Sequence, residues 1–192
     1  MAIERSKATI PRMERVTLGI VGDPYVGKTM LSVSYTSNYV FKEYKPTVLN
    51  CYSTTLEQEG HVIDLLIWDN SGSDEYSELR PLSYQQTDAF LLCFSLKSRE
   101  SLENVLTKWL PEIDDNVSGR VPIVLVGCKR DDCLKSSTDN LDTVSTEEGE
   151  DMASCVGAIK YAETSAIEQS GFTSAFNSAI MAGLARRKRC TL

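Results

Sequence analysis

Short apolar runs alternate along this chain with segments of helical spacing, and most of the runs end on a glycine or a polar turn. Residues 16–21 run apolar into Gly22, as a buried strand does, and Lys28–Ser37 beyond the turn fits a short helix. Residues 49–56 and 61–68 are β-type runs joined by Glu57-Gln58-Glu59-Gly60, which predicts a hairpin. Residues 88–94 and 123–126 repeat the apolar strand, with a helix over about 98–113 between them. Ser145 and Glu148 have the spacing of a capping box and predict a further helix start. Lys160–Glu163 reads as a last short strand, and Phe172, Phe176, Ile180 and Leu184 recur every four residues as the apolar face of a terminal helix. Strands this apolar, alternating with helices, predict an α/β fold: a mostly parallel six-stranded sheet flanked by helices.

A chain of 192 residues suits one domain with a single sizeable core, and 42% hydrophobic with 24% charged residues fits a soluble globular protein. The expected organisation is a flexible extension over residues 1–14, one domain over 15–185 and a basic tail over 186–192. A net charge of −7 argues against nucleic acid as a partner, because such a surface needs clustered cations. Only Arg186, Arg187, Lys188 and Arg189 run against that balance. The six cysteines form no paired metal motif and His61 is the sole histidine, so no zinc site is expected. Cys93 lies in an apolar run and reads as a small buried hydrophobe; reduced thiols and a cytoplasmic setting follow. No run approaches the roughly 20 apolar residues of a membrane span, no secretory signal is read, and Ala2 offers no myristoylation site.

The sharpest chemical signal is Gly22-Asp23-Pro24-Tyr25-Val26-Gly27-Lys28-Thr29, which satisfies G-x-x-x-x-G-K-[ST] between a strand and a helix. In that setting the backbone N–H groups of Tyr25, Val26, Gly27, Lys28, Thr29 and Met30 are expected to cradle phosphate oxygens. Lys28 would reach the outer phosphates as a point charge, and the Thr29 hydroxyl would bind Mg²⁺. The loop alone implies a nucleoside triphosphate without specifying the base.

Later motifs, all in order, carry a resemblance. Trp68-Asp69-Asn70-Ser71-Gly72 resembles the W-D-x-x-G motif of GTPases, Gly127-Cys128-Lys129-Arg130-Asp131 the [NT]-K-x-D guanine motif, and Glu163-Thr164-Ser165-Ala166 its partner loop. Tyr44-Lys45-Pro46-Thr47-Val48 is similar to a first switch of the Rho family. Leu79 to Tyr84 (L-R-P-L-S-Y) resembles the end of its second switch, and Lys108-Trp109-Leu110-Pro111-Glu112 its K-W-x-x-E helix end. The likeness covers about residues 15–185 and implies a P-loop GTPase domain that binds GTP and GDP with Mg²⁺. It further implies that Thr29, Thr47 and Asp69 serve the metal, that Thr47 and Gly72 meet the γ-phosphate, and that Tyr44 lies in the nucleotide site. Asp131 would read guanine by accepting from its ring N–H and exocyclic amine, which adenine cannot match. Lys129 would pack along the base, with Ser165 and Ala166 in the partner loop. Lys28, Thr47, Gly72 and Ser73 form the expected catalytic set.

Four departures from the Rho pattern matter. Ser73 stands where the family has its catalytic glutamine, and serine is too short to orient the attacking water in the same way. Ser71 with Ser73 resembles the Rnd branch, which implies slow hydrolysis; alternatively Asp74, Glu75 or a solvent network positions the water. Pro24-Tyr25 replaces small residues in the phosphate loop, and proline removes a donor. Val40 replaces a phenylalanine packed across guanine, which predicts faster exchange unless Tyr39 or Phe41 supplies the contact. Residues 133–145 are short and loop-like, so the family's insert helix is expected to be reduced or absent.

Arg186 to Arg189 followed by Cys190 resembles a polybasic region with a prenylated cysteine, a two-signal membrane attachment at the cytoplasmic face of the plasma membrane. Only Thr191 and Leu192 follow, one residue short of C-a-a-X; a solvated basic helix end is the other reading. The implied partners are exchange factors, GTPase-activating proteins, a guanine-nucleotide dissociation inhibitor and cytoskeletal effectors such as formins or kinases that read Thr47, Tyr52 and the second switch. Leu49-Asn50-Cys51-Tyr52 departs from the F-D-N-Y pattern that the Rac branch presents to its kinases. A monomer is expected. A nearly permanent GTP-bound scaffold is the runner-up function, and an ATP-using phosphoryl-transfer enzyme is disfavoured by Lys129-Arg130-Asp131.

Overall fold

A computed structural model describes residues 13–37, 47–135 and 142–190 of the chain. The expectations for Tyr39, Val40, Phe41 and Tyr44, for the start of the chain, and for most of the insert segment lie outside the described residues. Six strands form one sheet in the order β2-β3-β1-β4-β5-β6. They are β1 (Met13–Gly22), β2 (Leu49–Gln58), β3 (His61–Asn70), β4 (Ala89–Ser95), β5 (Ile123–Cys128) and β6 (Lys160–Glu163). Only the β2–β3 pair is antiparallel. The hairpin turns at Glu59-Gly60, whose φ angles of 50° and 79° give the left-handed pair that a tight two-residue turn requires.

Helices cover both faces: α1 (Lys28–Ser37), α2 (Pro81–Tyr84), α3 (Arg99–Asn104), α4 (Leu110–Asn116), α5 (Arg130–Lys135), α6 (Thr146–Cys155) and α7 (Phe172–Cys190). The helix expected over 98–113 is interrupted by a π-helical turn, Val105–Trp109, between α3 and α4. Pro111 has no N–H for the carbonyl of Thr107 and its ring crowds that carbonyl, so the ladder widens there. The capping box forms as spaced: the Ser145 side chain accepts from Glu148 N–H while the Glu148 carboxylate accepts from Ser145 N–H.

Alternation in β1 divides the core. Val16, Leu18 and Ile20 face α1 and α7, where Phe176, Ile180 and Leu184 fill the layer. Tyr35 stacks on Phe176 at 3.9 Å between ring centroids. Val21 on the other face packs with Phe90, Leu92, Phe94 and Trp109. Gly19 lies on that face because a Cβ there would meet the Phe90 ring at 2.7 Å. Cys93 and Cys128 are buried as hydrophobes, whereas Cys51 and Cys155 are exposed.

Both ends of the fold run past the expected boundaries of 15 and 185. β1 begins at Met13, paired with Val62 of β3. α7 continues through Arg186–Arg189 to Cys190, a C-terminal enrichment in cations that suits the helix macrodipole. Arg187 and Lys188 lie 3.5 and 3.6 Å from Asp88 and Glu14, and Arg186 donates to the carbonyls of Thr87 and Ser118. No described helix is long and apolar enough to cross a membrane.

Phe176 is fully buried and stacked, so Phe176→Ala removes transfer energy and leaves a cavity. The expected loss is about 3–5 kcal/mol, read as a lower urea midpoint at unchanged m-value.

Candidate nucleotide-binding site

The first wall of the site is the turn between β1 and α1. Gly22 has φ 143°, and a Cβ there would lie 2.0 Å from the Cys93 carbonyl oxygen, so the strand can end here only on glycine. Tyr25 and Gly27 follow with φ of 63° and 120°. A bulky residue in the left-handed region stores on the order of 1–3 kcal/mol, a cost tolerated where a functional loop shape demands it. Lys28 folds back over the loop: its ammonium donates to the carbonyls of Gly22 and Asp23 at 2.8 and 2.7 Å. The side chain is buried, which pulls its pKa down, while the charge of Asp69 opposes that shift.

Three hard oxygens converge beside it. The Thr29 hydroxyl donates to Asp69 Oδ2 at 2.7 Å and lies 2.8 Å from the Thr47 hydroxyl. The strand ladder brings them together, since Leu49 pairs with Asn70 and Ser71 N–H donates to the Val48 carbonyl. Asp69 Oδ1 is buried and has no protein partner. A fully buried carboxylate with one oxygen unsatisfied, next to two hydroxyls, fits a small hard cation such as Mg²⁺ that keeps water and phosphate ligands. No cluster of three or more His, Cys, Asp or Glu side chains occurs among the described residues, so no all-carboxylate cage competes with this trio.

The opposite wall is the segment after β3. A Cβ on Gly72 would meet the Pro24 nitrogen, the Asp23 carbonyl carbon and the Gly22 oxygen at 2.4–2.5 Å, so the backbone here lies directly against the phosphate loop. Ser73 N–H donates to Ser71 Oγ at 3.3 Å, and its carbonyl accepts from Arg80 at 2.6 Å. Asp74 is engaged by Lys108 in an ion pair, whereas Glu75 lines the cavity. Asn70 is structural: its amide donates to the Ile20 and Trp68 carbonyls and its oxygen accepts from Ser83. The space between the walls is about 510 Å³ and is bordered by Tyr25, Lys28, Thr29, Thr47, Gly72 and Ser73, among others.

A narrower cleft of about 160 Å³ continues from it, lined by Lys129, Asp131, Ala166 and Ile167 among others. Arg130 N–H donates to the Thr164 carbonyl and Thr164 N–H to that of Gly127, which joins the two loops that frame the cleft. Asp131 is 2% exposed; Oδ1 accepts from the Ser165 hydroxyl at 2.6 Å and Oδ2 has no protein partner. A buried acceptor without a donor is costly, and a ligand offering paired N–H groups would relieve it. Lys129, at φ 65°, borders both cavities.

Most of the residues expected from sequence therefore meet in one continuous site. Val26 differs: its side chain is 2% exposed and packs in the core, so only its backbone can face a ligand. Ser165 borders neither cavity and instead orients Asp131. Sequence reading missed Ile167, 62% exposed at the cleft, and the lining residues Cys128 and Asp132. Ile167 and Asp132 each stand one place after a matched run, residues 163–166 and 127–131, and Cys128 stands within the second; nothing else in the sequence marked them.

Burial pushes the Asp69 carboxyl up from 3.8 to about 6, against the Thr29 bond and the Lys28 charge. The unfolded chain ionises first, so without a cation the fold loses stability as pH rises from about 4 to 6, and the loss is complete above 6. A shift of that size is on the order of 3 kcal/mol. Asp69→Asn should therefore stabilise the cation-free protein at pH 7.5 by about 1–3 kcal/mol and abolish the gain on adding Mg²⁺. Chemical denaturation in chelator and in Mg²⁺ checks both, and a variant destabilised in chelator contradicts the assignment of strain to this carboxylate.

The Ras family model matches residues 17–184, from inside β1 to near the end of α7. That match spans the phosphate loop, the oxygen trio and the base cleft, and members of the family bind guanine nucleotide, generally with Mg²⁺. With this site inside that match, the chain belongs to the Ras family and carries its GTP-binding switch domain.

Proposed function

We propose that this chain is a Rho-like switch, a GTP hydrolase whose turnover is slow because Ser73 replaces the residue that orients water. The observation that carries the reading is the reach of the side chains around the phosphate cavity. Ser73 ends one carbon from the backbone, Asp74 is held by Lys108, and only Glu75 brings a carboxylate to the cavity from this segment. Support for the Rho branch comes from the meeting of its two signature stretches: Arg80 and Tyr84 of one both bond Glu112 of the other.

In this reading Lys28 and the loop amides bind the β- and γ-phosphates, and Thr29, Thr47 and Asp69 hold Mg²⁺. The bound Mg²⁺ would neutralise charge developing on the phosphate oxygens. Thr47 and Gly72 contact the γ-phosphate through backbone N–H, and these contacts end with hydrolysis, releasing the surface that partners read. Asp131 reads guanine, positioned by Ser165, while Lys129 and Ile167 flank the base. Exchange factors, GTPase-activating proteins, a dissociation inhibitor and cytoskeletal effectors are the partners this reading assigns. Residues 15–185 would be the switch domain, with the basic end and Cys190 contacting the cytoplasmic face of the plasma membrane. Ser71 with Ser73 also favours a second reading, a hydrolysis-deficient scaffold that stays GTP-bound.

Single-turnover GTP hydrolysis with Mg²⁺ tests the proposal. Slow wild-type turnover, accelerated about tenfold or more by Ser73→Gln, is expected for the switch. No turnover in either protein, with tight GTP binding, would establish the scaffold instead. Asp131→Asn places an amide donor against donors of the base and removes a charged acceptor, so GTP affinity should fall by about 100-fold. Titration with a fluorescent GTP analogue checks this, and unchanged affinity would remove Asp131 from base recognition.

A further inference from the structure

Arg80 is the largest charged side chain buried among the described residues, 1% exposed, and it reaches the backbone of the second cavity wall. One arm of its guanidinium, Nη1, donates to the carbonyls of both Ser71 and Ser73, at 3.2 and 2.6 Å. These carbonyls flank Gly72. Its other nitrogens form a two-point pair with Glu112, Nε to Oε1 at 2.8 Å and Nη2 to Oε2 at 2.6 Å. Glu112 is held in turn by the Tyr84 hydroxyl at 2.6 Å.

Beneath the guanidinium lies Trp109, with 4.9 Å from Arg80 Cζ to the ring centroid. The indole N–H of Trp109 donates to Asp23 Oδ1 at 2.8 Å, and the Asn104 amide donates to Asp23 Oδ2 at 2.7 Å. Asp23 belongs to the phosphate loop. One support, the π-helical turn and the residues beside it, thus grips both walls of the cavity: the loop through Asp23 and the second wall through Arg80. A buried Arg–carboxylate pair is poor evidence for stability as such, since apolar side chains of equal volume often serve as well. What an apolar replacement cannot do is hold the carbonyls of Ser71 and Ser73, one before and one after the Gly72 N–H, on a single donor.

Building on the GTPase reading above, we infer that Arg80, backed by Glu112 and seated on Trp109, is a positioning residue for hydrolysis. It sets the Ser71–Gly72–Ser73 backbone against the phosphate loop, and so fixes where the Gly72 N–H and the side chain at position 73 point. Displacements of about 1 Å in such a segment cost on the order of 100-fold in rate, far more than they cost in ligand binding.

The test is Arg80→Lys, which keeps the charge but loses the planar fork and cannot hold both carbonyls and Glu112 together. Single-turnover GTP hydrolysis should fall about tenfold while affinity for a fluorescent GTP analogue stays within about threefold. Amide hydrogen exchange should rise over residues 71–75 and not over α1. The acceleration given by Ser73→Gln should be lost in the Arg80→Lys background. Should Arg80→Lys not fold, Glu112→Gln keeps the shape of the acceptor without its charge and should lower hydrolysis about threefold in the same direction. Unchanged hydrolysis in Arg80→Lys, or in Glu112→Gln where Arg80→Lys does not fold, or hydrolysis and affinity falling together, overturns the inference. If Ser73→Gln hydrolyses quickly whether or not Arg80 is present, only this inference fails. If GTP binds but no variant hydrolyses it, the hydrolytic reading fails and takes the inference with it.

Discussion

A lysine and an aspartate buried at the carboxyl ends of neighbouring parallel strands set the terms for the rest of this molecule. Lys28 follows the end of β1 and Asp69 lies near the end of β3, with Ile20 and Asp69 in register. Burial penalises both charges, pulling the lysine down and pushing the carboxyl up, and their mutual attraction offsets part of that cost. The remainder is met by groups that only a particular loop shape can supply: two loop carbonyls for Lys28 and the Thr29 hydroxyl for Asp69. The glycine at position 22 and the left-handed turn at Tyr25 follow from that shape. A site held in this state is complementary to a phosphate chain and a divalent cation, which together bring the opposite charges.

The loop would be only a flexible turn without the layer behind it. Trp109, fully buried, reaches Asp23 from a helix whose regular course is broken at that point. A regular helix over the whole of 98–113 would rotate its later residues relative to its earlier ones. The extra residue of the π turn lets Asn104 and Trp109, five apart, both face Asp23. Backbone irregularity, a buried aromatic and a capped loop carboxylate are thus one feature seen at three levels.

Much of this was legible in the sequence, and the reasons are physical. Strands buried on both faces write themselves as apolar runs, as in β4 and β5, and the phosphate loop writes itself in glycines at fixed spacing. Asp131 was legible through the resemblance of residues 127–131 to the [NT]-K-x-D motif, and its buried, half-satisfied carboxylate is what the fold adds. The Arg80 network was not. Its members are 32 residues apart, and an arginine and a glutamate on surface-like helical segments give no sign that both point inward. The π turn was not legible either, since Pro111 could equally have marked a helix end. Ile167 carried no signal because an exposed apolar residue beside a loop is ordinary until the cleft it borders is seen.

The basic end of α7 shows how the fold reshapes what a sequence motif can do. Read along the chain, four adjacent cations are free to meet an anionic surface. In the fold, Arg187 and Lys188 approach Asp88 and Glu14, and Arg186 is spent on two backbone carbonyls. Glu14 is also bonded to His61 at 2.6 Å, so its charge is shared between the strand and the helix. Each of these pairs is at least partly exposed, and such pairs contribute about 0–1 kcal/mol apiece. A polybasic segment gains about 1 kcal/mol per cation near an anionic membrane. The two are comparable, so membrane contact through this end exchanges one set of partners for another and gains little from charge alone. In the proposed reading, stable attachment by this route would therefore need a second signal, the one that the resemblance implies at Cys190.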